Sequence, residues 1–351
     1  MELIAERGRR ISVEELNTTK LLAHARQQAV QRKYDEMLIV DCDAHHYENE
    51  SYDEILPFME NDVLRQLTIG GRGFGRRAIV PSQAGFTQDM GGRVTRYPMR
   101  PSEKTDSGRM RDIQLGERWM DAMSVDYSCL FPTGMLNIGM HPQKEMEVDL
   151  CWAYNRWLTE KVLPESNNRF FSMLCIPFSD PEASLRHVET FGDRKGVAGF
   201  MVTTVRNLQV NDNAYMKVYR AMEERGLSLA FHSGPNWQEP VFRACNRFIS
   251  VHALGFSFYN IVHCTNWVIN GLCERFPKLP VIWIEAGLAW IPFLMQRLDN
   301  EYMMRPSEAP LLKKKPSACT ARKRLQLLNT LSPQWKAEWN DSTRPRSSIA
   351  R

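Results

Sequence analysis

The sequence predicts an α/β fold, a TIM-like (β/α) barrel in which parallel strands alternate with helices. Three observations carry that expectation. Strand-like apolar runs recur at Leu38–His45, Tyr127–Phe131, Phe170–Ile176, Val197–Val202, Leu227–Phe231 and Leu279–Ile284. Helical stretches lie between the later ones, at Glu147–Glu160, Pro181–Phe191, Asn213–Arg225 and Tyr259–Phe276. Strand–helix alternation of this kind implies right-handed crossovers and a parallel sheet. The third observation is the count: six strand–helix units stand where a closed barrel has eight. The barrel is therefore expected to lack its last one or two units.

Composition sets the outer bounds. Of 351 residues, 43% are hydrophobic and 25% charged, with 20 Gly and 19 Pro, which excludes disordered, collagen-like and coiled-coil chains. The 45 Lys and Arg against 41 Asp and Glu leave a net charge of +4, too small to point to nucleic acid. The eight cysteines are scattered, with no CxxC pair, and most sit in apolar runs, as buried free thiols in a reducing compartment do. The charged segment Met1–Arg10 has no apolar signal core. The longest apolar run, Val281–Met295, contains Glu285 and falls short of the about 20 residues a bilayer span needs. The expectation is a cytoplasmic protein that binds neither nucleic acid nor membrane.

The elements then follow in order. Residues 1–37 read as an N-terminal helical extension, with Ser12 and Glu15 at capping-box spacing and few breakers from Leu16 to Met37. Residues 38–300 form the barrel. Within it, about 60–118 change texture: Gly70-Gly71-Arg72-Gly73-Phe74-Gly75-Arg76-Arg77 and Gly91-Gly92-Arg93 lie among polar residues with little periodicity, as in a lid or insertion. Their glycine spacing fits neither a Walker loop nor a dinucleotide fingerprint. Residues 301–351 form an atypical basic tail, opened by Lys313-Lys314-Lys315. Trp335 and Trp339 suit one docked helix there, and Asp341–Arg351 reads as disordered.

In parallel α/β folds reactive groups collect at the C-terminal ends of strands. The first strand ends in Asp43-Ala44-His45, and residues two apart in an extended segment point the same way. The fifth ends in His232, before Ser233-Gly234-Pro235, and the sixth in Glu285, before Ala286-Gly287. Any one of these alone reads as a capped or solvated polar group. Three such strand ends on one rim read as a site, because imidazole plus carboxylate is the donor set of divalent ions that keep a position open for water.

The same residues carry a family resemblance. Asp43-x-His45, His232, FPTG (Phe131–Gly134), AYNRWL (Ala153–Leu158), VHALGFSF (Val251–Phe258) and ERFPKLPVIWIEAGLAWIPFLMQRLD (Glu274–Asp299) resemble the amidohydrolase-related family. These are metal-dependent hydrolases and decarboxylases similar to aminocarboxymuconate-semialdehyde decarboxylase. The likeness covers roughly residues 38–300 and is most specific over 274–299. It implies a distorted TIM barrel of the metal-dependent hydrolase type with one divalent metal, Zn2+ first and Mn2+ as the alternative. Asp43, His45 and His232 would be the metal ligands, and Glu285 the catalytic group relaying protons to metal-bound water or to substrate. The family's last strand supplies an Asp in an Asp-Tyr-Pro-His-like run, and no such run follows Asp299. A shortened or altered C-terminus is the corresponding expectation.

Around this set stand weaker candidates. His252 is read as lining the pocket in a catalytic role, with a structurally bonded loop histidine as the alternative. Glu48 is expected at the substrate or behind a ligand, orienting it, with a solvated loop carboxylate as the alternative. Arg72 and Arg76, with Arg77, Arg93 and Arg96, suit a clamp on a substrate carboxylate or, more plainly, a solvated surface. His46 should point away from His45, and His263 sits at helical spacing among Ile261, Val262 and Val268 as a core histidine.

The leading functional expectation is hydrolysis of a small, carboxylated or cyclic substrate through a metal-bound water. Non-oxidative decarboxylation at the same site is the alternative. A third reading, a catalytically impaired remnant, follows from the absent last-strand Asp. Strand edges exposed at both ends of an open barrel make a homodimer the partner expectation.

Overall fold

The structure, a computed structural model, describes residues 18–46, 48, 51–73 (71–73 as backbone only), 108–203, 208–232, 234 and 239–311. Its centre is a sheet of six strands: β1 (Val40–His46), β2 (Tyr127–Pro132), β3 (Phe170–Cys175), β4 (Val197–Val202), β5 (Ser228–His232) and β6 (Val281–Ile284). They neighbour one another in chain order and every pair is parallel. The helices are α1 (Thr18–Gln31), α2 (Tyr52–Ile55), α3 (Asp62–Gly73), α4 (Arg111–Met123), α5 (Lys144–Trp157), α6 (Pro181–Phe191), α7 (Met216–Glu224), α8 (Phe248–Ile269), α9 (Leu272–Arg275) and α10 (Trp290–Met304).

The sheet curls. At about 4.8 Å per strand, the two edges of a flat six-stranded sheet would lie about 24 Å apart. Yet His45 on β1 and Glu285, just past β6, approach to 3.9 Å. The six strands thus form an open, curled half-barrel, and the upper rim is where the strand ends meet.

Burial explains the sequence texture. Strand β3, Phe170-Phe171-Ser172-Met173-Leu174-Cys175, is buried along its whole length, as a parallel strand covered on both faces must be. Trp157, Trp267, Tyr219, Phe200 and Phe231 are among the largest side chains wholly buried in the same core. Strands β4 and β5 approach so closely that a Cβ on Gly199 would sit 2.0 Å from the Ser228 carbonyl oxygen, so only glycine fits there. Helix α6 starts where local chemistry dictates: Asp180 accepts from the backbone N–H of Glu182 and Ala183 at 3.0 Å, and Pro181 takes the first helical position.

Three expectations are revised. Helix α8 begins at Phe248, eleven residues before the expected Tyr259, so VHALGFSF is helix rather than connection and His252 is not on a loop. It also stops early, because Gly271 takes a left-handed φ of 67° and separates α9 from it. The segment 60–118, expected to lack periodicity, contains α3, whose start is capped by Asn61 Oδ1 accepting from Val63 and Leu64 N–H at 3.0 and 3.1 Å. Among the described residues six cysteines form no disulfide, as expected, but Cys273 is disulfide-bonded.

Helix α1 lies over α4, burying Leu22 and Ala29, and Arg26 bonds Ser124 Oγ at 2.7 Å. The capping box at Ser12 and Glu15, the lid glycines of 74–107 and the basic tail from Lys313, with Trp335, Trp339 and Asp341, lie outside the described residues. Among the described residues no helix is long and apolar enough to cross a membrane.

Candidate metal centre

Strand β1 does not reach its end smoothly. Asp41 pairs with Ser128, but the next pairing is Ala44 with Leu130, so Cys42 and Asp43 together face the single residue Cys129. This is a β-bulge, a device that re-aims side chains beside functional sites. The Asp43 N–H donates to Asp41 Oδ1 at 3.1 Å and closes the bulge locally. Past it, His45 pairs with Phe131 and places its ring under the rim. His232 is the last residue of β5 and pairs with Ile284 on β6. Glu285 follows at once, with a left-handed φ of 53°. A side chain with a Cβ is rarely held in that region, and such strain concentrates at functional sites.

These four side chains converge. His232 Nε2 lies 3.0 Å from His45 Nε2, Asp43 Oδ1 3.5 Å from His45 Nε2 and 3.9 Å from His232 Nε2, and Glu285 Oε1 3.9 Å from His45 Nε2. All four donor atoms lie within 4.8 Å of one another. Donors bound at about 2.1 Å stand about 3.0–3.4 Å apart as neighbours and about 4.2 Å apart when opposite. The four individual separations, 3.0, 3.5, 3.9 and 3.9 Å, fall in that range. The tautomer agrees too. His45 Nδ1 lies 3.2 Å from the Pro132 carbonyl oxygen, which only accepts, so Nδ1 carries the proton and Nε2 presents its lone pair to the cluster. Two imidazole Nε2 atoms 3.0 Å apart need a proton or a cation between them, and the two flanking carboxylates suit a divalent cation. The residues therefore fit one divalent metal ion.

The surroundings are built to hold this rim. Phe131 and Phe256 flank His232, with ring centroids at 5.6 and 6.1 Å. Glu48 is wholly buried: its Oε2 accepts from the Thr133 N–H at 2.9 Å and its Oε1 from the Met135 N–H at 2.6 Å. Burial pushes its carboxyl upward in pKa, against the pull of His46 and those two bonds. Thr133 in turn gives its hydroxyl to the His46 carbonyl at 2.7 Å, so Glu48 fixes the loop that bonds His45. His46 points into the core, between Asp112 Oδ1 at 3.0 Å and the Tyr154 hydroxyl at 2.7 Å. Burial alone would lower His46, but the bond and charge of Asp112, with Glu48, outweigh it and raise its pKa. Asp112 shows the complement: burial raises it, the bond and charge of His46 prevail, and it is lowered. A buried ion pair thus braces the back of β1.

Of the sequence-derived candidates, Asp43, His45, His232 and Glu285 are brought together. His252 is not. It lies on α8 one ring removed, 5.1 Å from Phe256, which in turn faces His232. Glu48, expected at the substrate, has both oxygens engaged by backbone N–H groups, so it orients a loop instead of offering an oxygen to a ligand. His263 is buried, stacks on Phe231 at 5.4 Å, and is lowered by burial to a pKa of about 4. The side chain of Arg72, and Arg76, Arg77, Arg93 and Arg96 entirely, lie outside the described residues. The Asp41 turn, Thr133, Phe256 and Asn260 were missed. The FPTG run marked Thr133, and an Asp two residues before Asp43 was a visible turn signal.

Known proteins agree with this architecture. The family profile described as amidohydrolase matches residues 40–322. No curated protein matches the chain. Among solved structures, an amidohydrolase from Mycobacterium avium subsp. paratuberculosis K-10 is similar at 18% identity and a TM-score of 0.50, over 60% of this chain. The chain spans only 56% of that protein's length. The 5-carboxyvanillate decarboxylase of Sphingomonas paucimobilis is similar at 20% identity and a TM-score of 0.52, over 82% of this chain and 78% of its own. That of Novosphingobium aromaticivorans, complexed with manganese and 4-hydroxy-3-methoxy-5-nitrobenzoic acid, gives 18%, 0.51, 80% and 75% in the same order. These likenesses establish the fold, and the profile match over most of the chain establishes the family: this protein belongs to the amidohydrolase family of enzymes.

Proposed function

We propose that this chain is a single-metal enzyme that removes a carboxylate group from a small aromatic acid without an oxidant. The observation that carries the reading is the convergence of Asp43, His45, His232 and Glu285 beside the rings of Phe131 and Phe256. Asp43, His45 and His232 would hold a divalent ion, which would supply Lewis acidity toward a substrate carboxylate and lower the pKa of bound water. Mn2+ and Zn2+ both suit two imidazoles with carboxylates, and manganese is the ion in the Novosphingobium enzyme.

The protein's own groups do the rest. Phe131 and Phe256 offer apolar walls to a flat ring. Glu285 stands on the open side, its side chain one third exposed at 33%, so its carboxyl exchanges protons with solvent. As the ring-to-carboxylate C–C bond breaks, its electron pair stays on the ring carbon. Glu285 delivers a proton there, CO2 departs, and solvent reprotonates Glu285. Phosphate, nucleotide and redox cofactors have no part in this balance.

Hydrolysis is the second reading, favoured by the same exposure of Glu285: as a carboxylate it takes a proton from a water attacking a C–N or C–O bond. One assay separates the two. Protein loaded with Mn2+ or Zn2+ is offered a panel of hydroxylated aromatic acids and matched amides and lactones, and released CO2 is measured against released amine or alcohol. CO2 release from the acids, abolished in Glu285→Gln with the metal retained, supports decarboxylation. Amine or alcohol release with no CO2 replaces it by hydrolysis, and no turnover on either set favours an impaired site.

A further inference from the structure

We propose that Asn260, assisted by Ser257, is the positioning residue that holds Glu285 at the metal centre. Both lie on α8, three residues apart and so on one face of the helix. Asn260 Nδ2 donates to the Ile284 carbonyl at 2.8 Å, and Ser257 Oγ donates to the Ala286 carbonyl at 2.9 Å. The two acceptors are the carbonyls of the residues on either side of Glu285, the residue whose backbone is left-handed with φ 53°. Two bonds from a rigid 22-residue helix thus clamp the one turn that aims this carboxylate back toward His45.

Asn260 is wholly buried, and its Oδ1 has no hydrogen-bond donor among the described residues. A buried amide with one unsatisfied end is a cost to the fold. Its single directed bond goes to the carbonyl preceding Glu285, which also settles which end of the amide faces the strand, because that oxygen only accepts. An apolar side chain would fill the space without that cost. The residue is therefore explained by what it does to the turn.

This inference rests on the reading of Glu285 given above, and its test keeps the two apart. The full-length protein is stripped with chelator and titrated with Co2+, whose visible absorption reports the donors around it. Wild type, Glu285→Gln, Asn260→Ala and the double variant are compared. Asn260→Ala is expected to retain Co2+ as Glu285→Gln does, to shift the Co2+ spectrum in the same direction as Glu285→Gln, and to add nothing in the Glu285→Gln background. A merely structural residue would lower stability without moving the spectrum. If Asn260→Ala does not fold, Ser257→Ala, which loses the second tether, is expected to give a smaller shift in the same direction, and an unmoved spectrum overturns the inference. An Asn260→Ala spectrum identical to wild type, where Glu285→Gln shifts it, also overturns the inference alone. So does an Asn260→Ala effect that persists undiminished in the double variant. A wild-type protein that takes up no Co2+ removes the reading of the site, a Glu285→Gln spectrum identical to wild type removes the placement of Glu285 beside the ion, and either removes the inference with it.

Discussion

Replacing Glu285 by glycine and, separately, by alanine turns its backbone geometry into a measurable sign. Both changes delete the carboxylate, so its charge and its contacts cancel in the comparison. What remains is the cost of φ 53°. A residue with a Cβ loses about 1–2 kcal/mol in the left-handed region, and glycine loses almost nothing there. Glycine's greater freedom in the unfolded chain costs it about 0.5–1 kcal/mol against alanine. The difference leaves Glu285→Gly about 0.5–1 kcal/mol more stable than Glu285→Ala, whereas at an ordinary position alanine is the more stable by about the same amount. With an m-value of about 2.5 kcal/mol/M, the urea midpoints separate by roughly 0.2–0.4 M, with glycine higher. The measurement is made on metal-free protein, so that ion binding does not add to either side. Alanine equal to or more stable than glycine would mean that position 285 does not hold a left-handed turn, and the aiming of its carboxylate would lose its basis.

Two further outcomes follow from the packing. His187 is buried against Trp152 and Phe191, with Asn155 Nδ2 3.1 Å from its Nδ1, and burial lowers its pKa to about 3. Between about pH 3 and the ordinary 6.5 the unfolded chain binds a proton that the folded chain refuses, so stability falls as the pH drops below 6.5, by about 1.4 kcal/mol per unit. His187→Gln is expected to flatten the stability-against-pH curve by one proton between pH 4.5 and 6; parallel curves would show that His187 is not held neutral. Glu48→Ala leaves the buried N–H groups of Thr133 and Met135 without their acceptor, at about 1–3 kcal/mol each. Because Thr133 belongs to the loop that bonds His45, metal affinity should fall at least ten-fold although Glu48 touches no ion. Lost stability with unchanged affinity would confine Glu48 to the fold.

Much of this was legible from residue order. Strand β4 was expected at Val197–Val202 and is found there, because Val-Ala-Gly-Phe-Met-Val is a continuous apolar run between polar segments. Helix α6 was expected at Pro181–Phe191 and is found there, because Asp180 and Pro181 fix its start. Asp43, His45, His232 and Glu285 were singled out because three apolar strands end in imidazole or carboxylate on one rim, the donor set of a divalent ion. The rest depends on contacts that sequence spacing does not encode. The bulge at Cys42 and Asp43 is defined by its partner strand, 86–87 residues on. Glu48 reads as a loop acid until the backbone N–H groups of Thr133 and Met135 close over it. Asn260 reads as one polar residue in an apolar helix until β6 is laid beside it.

The central claim is that Asp43, His45 and His232 hold one divalent ion. Metal content of the purified, reconstituted and dialysed protein, measured by plasma mass spectrometry for wild type and His232→Ala side by side, addresses it most directly. The expected result is close to one Zn2+ or Mn2+ per wild-type chain and almost none in the folded His232→Ala variant. Wild-type protein that retains no metal, or a His232→Ala variant that retains it in full, would contradict the claim.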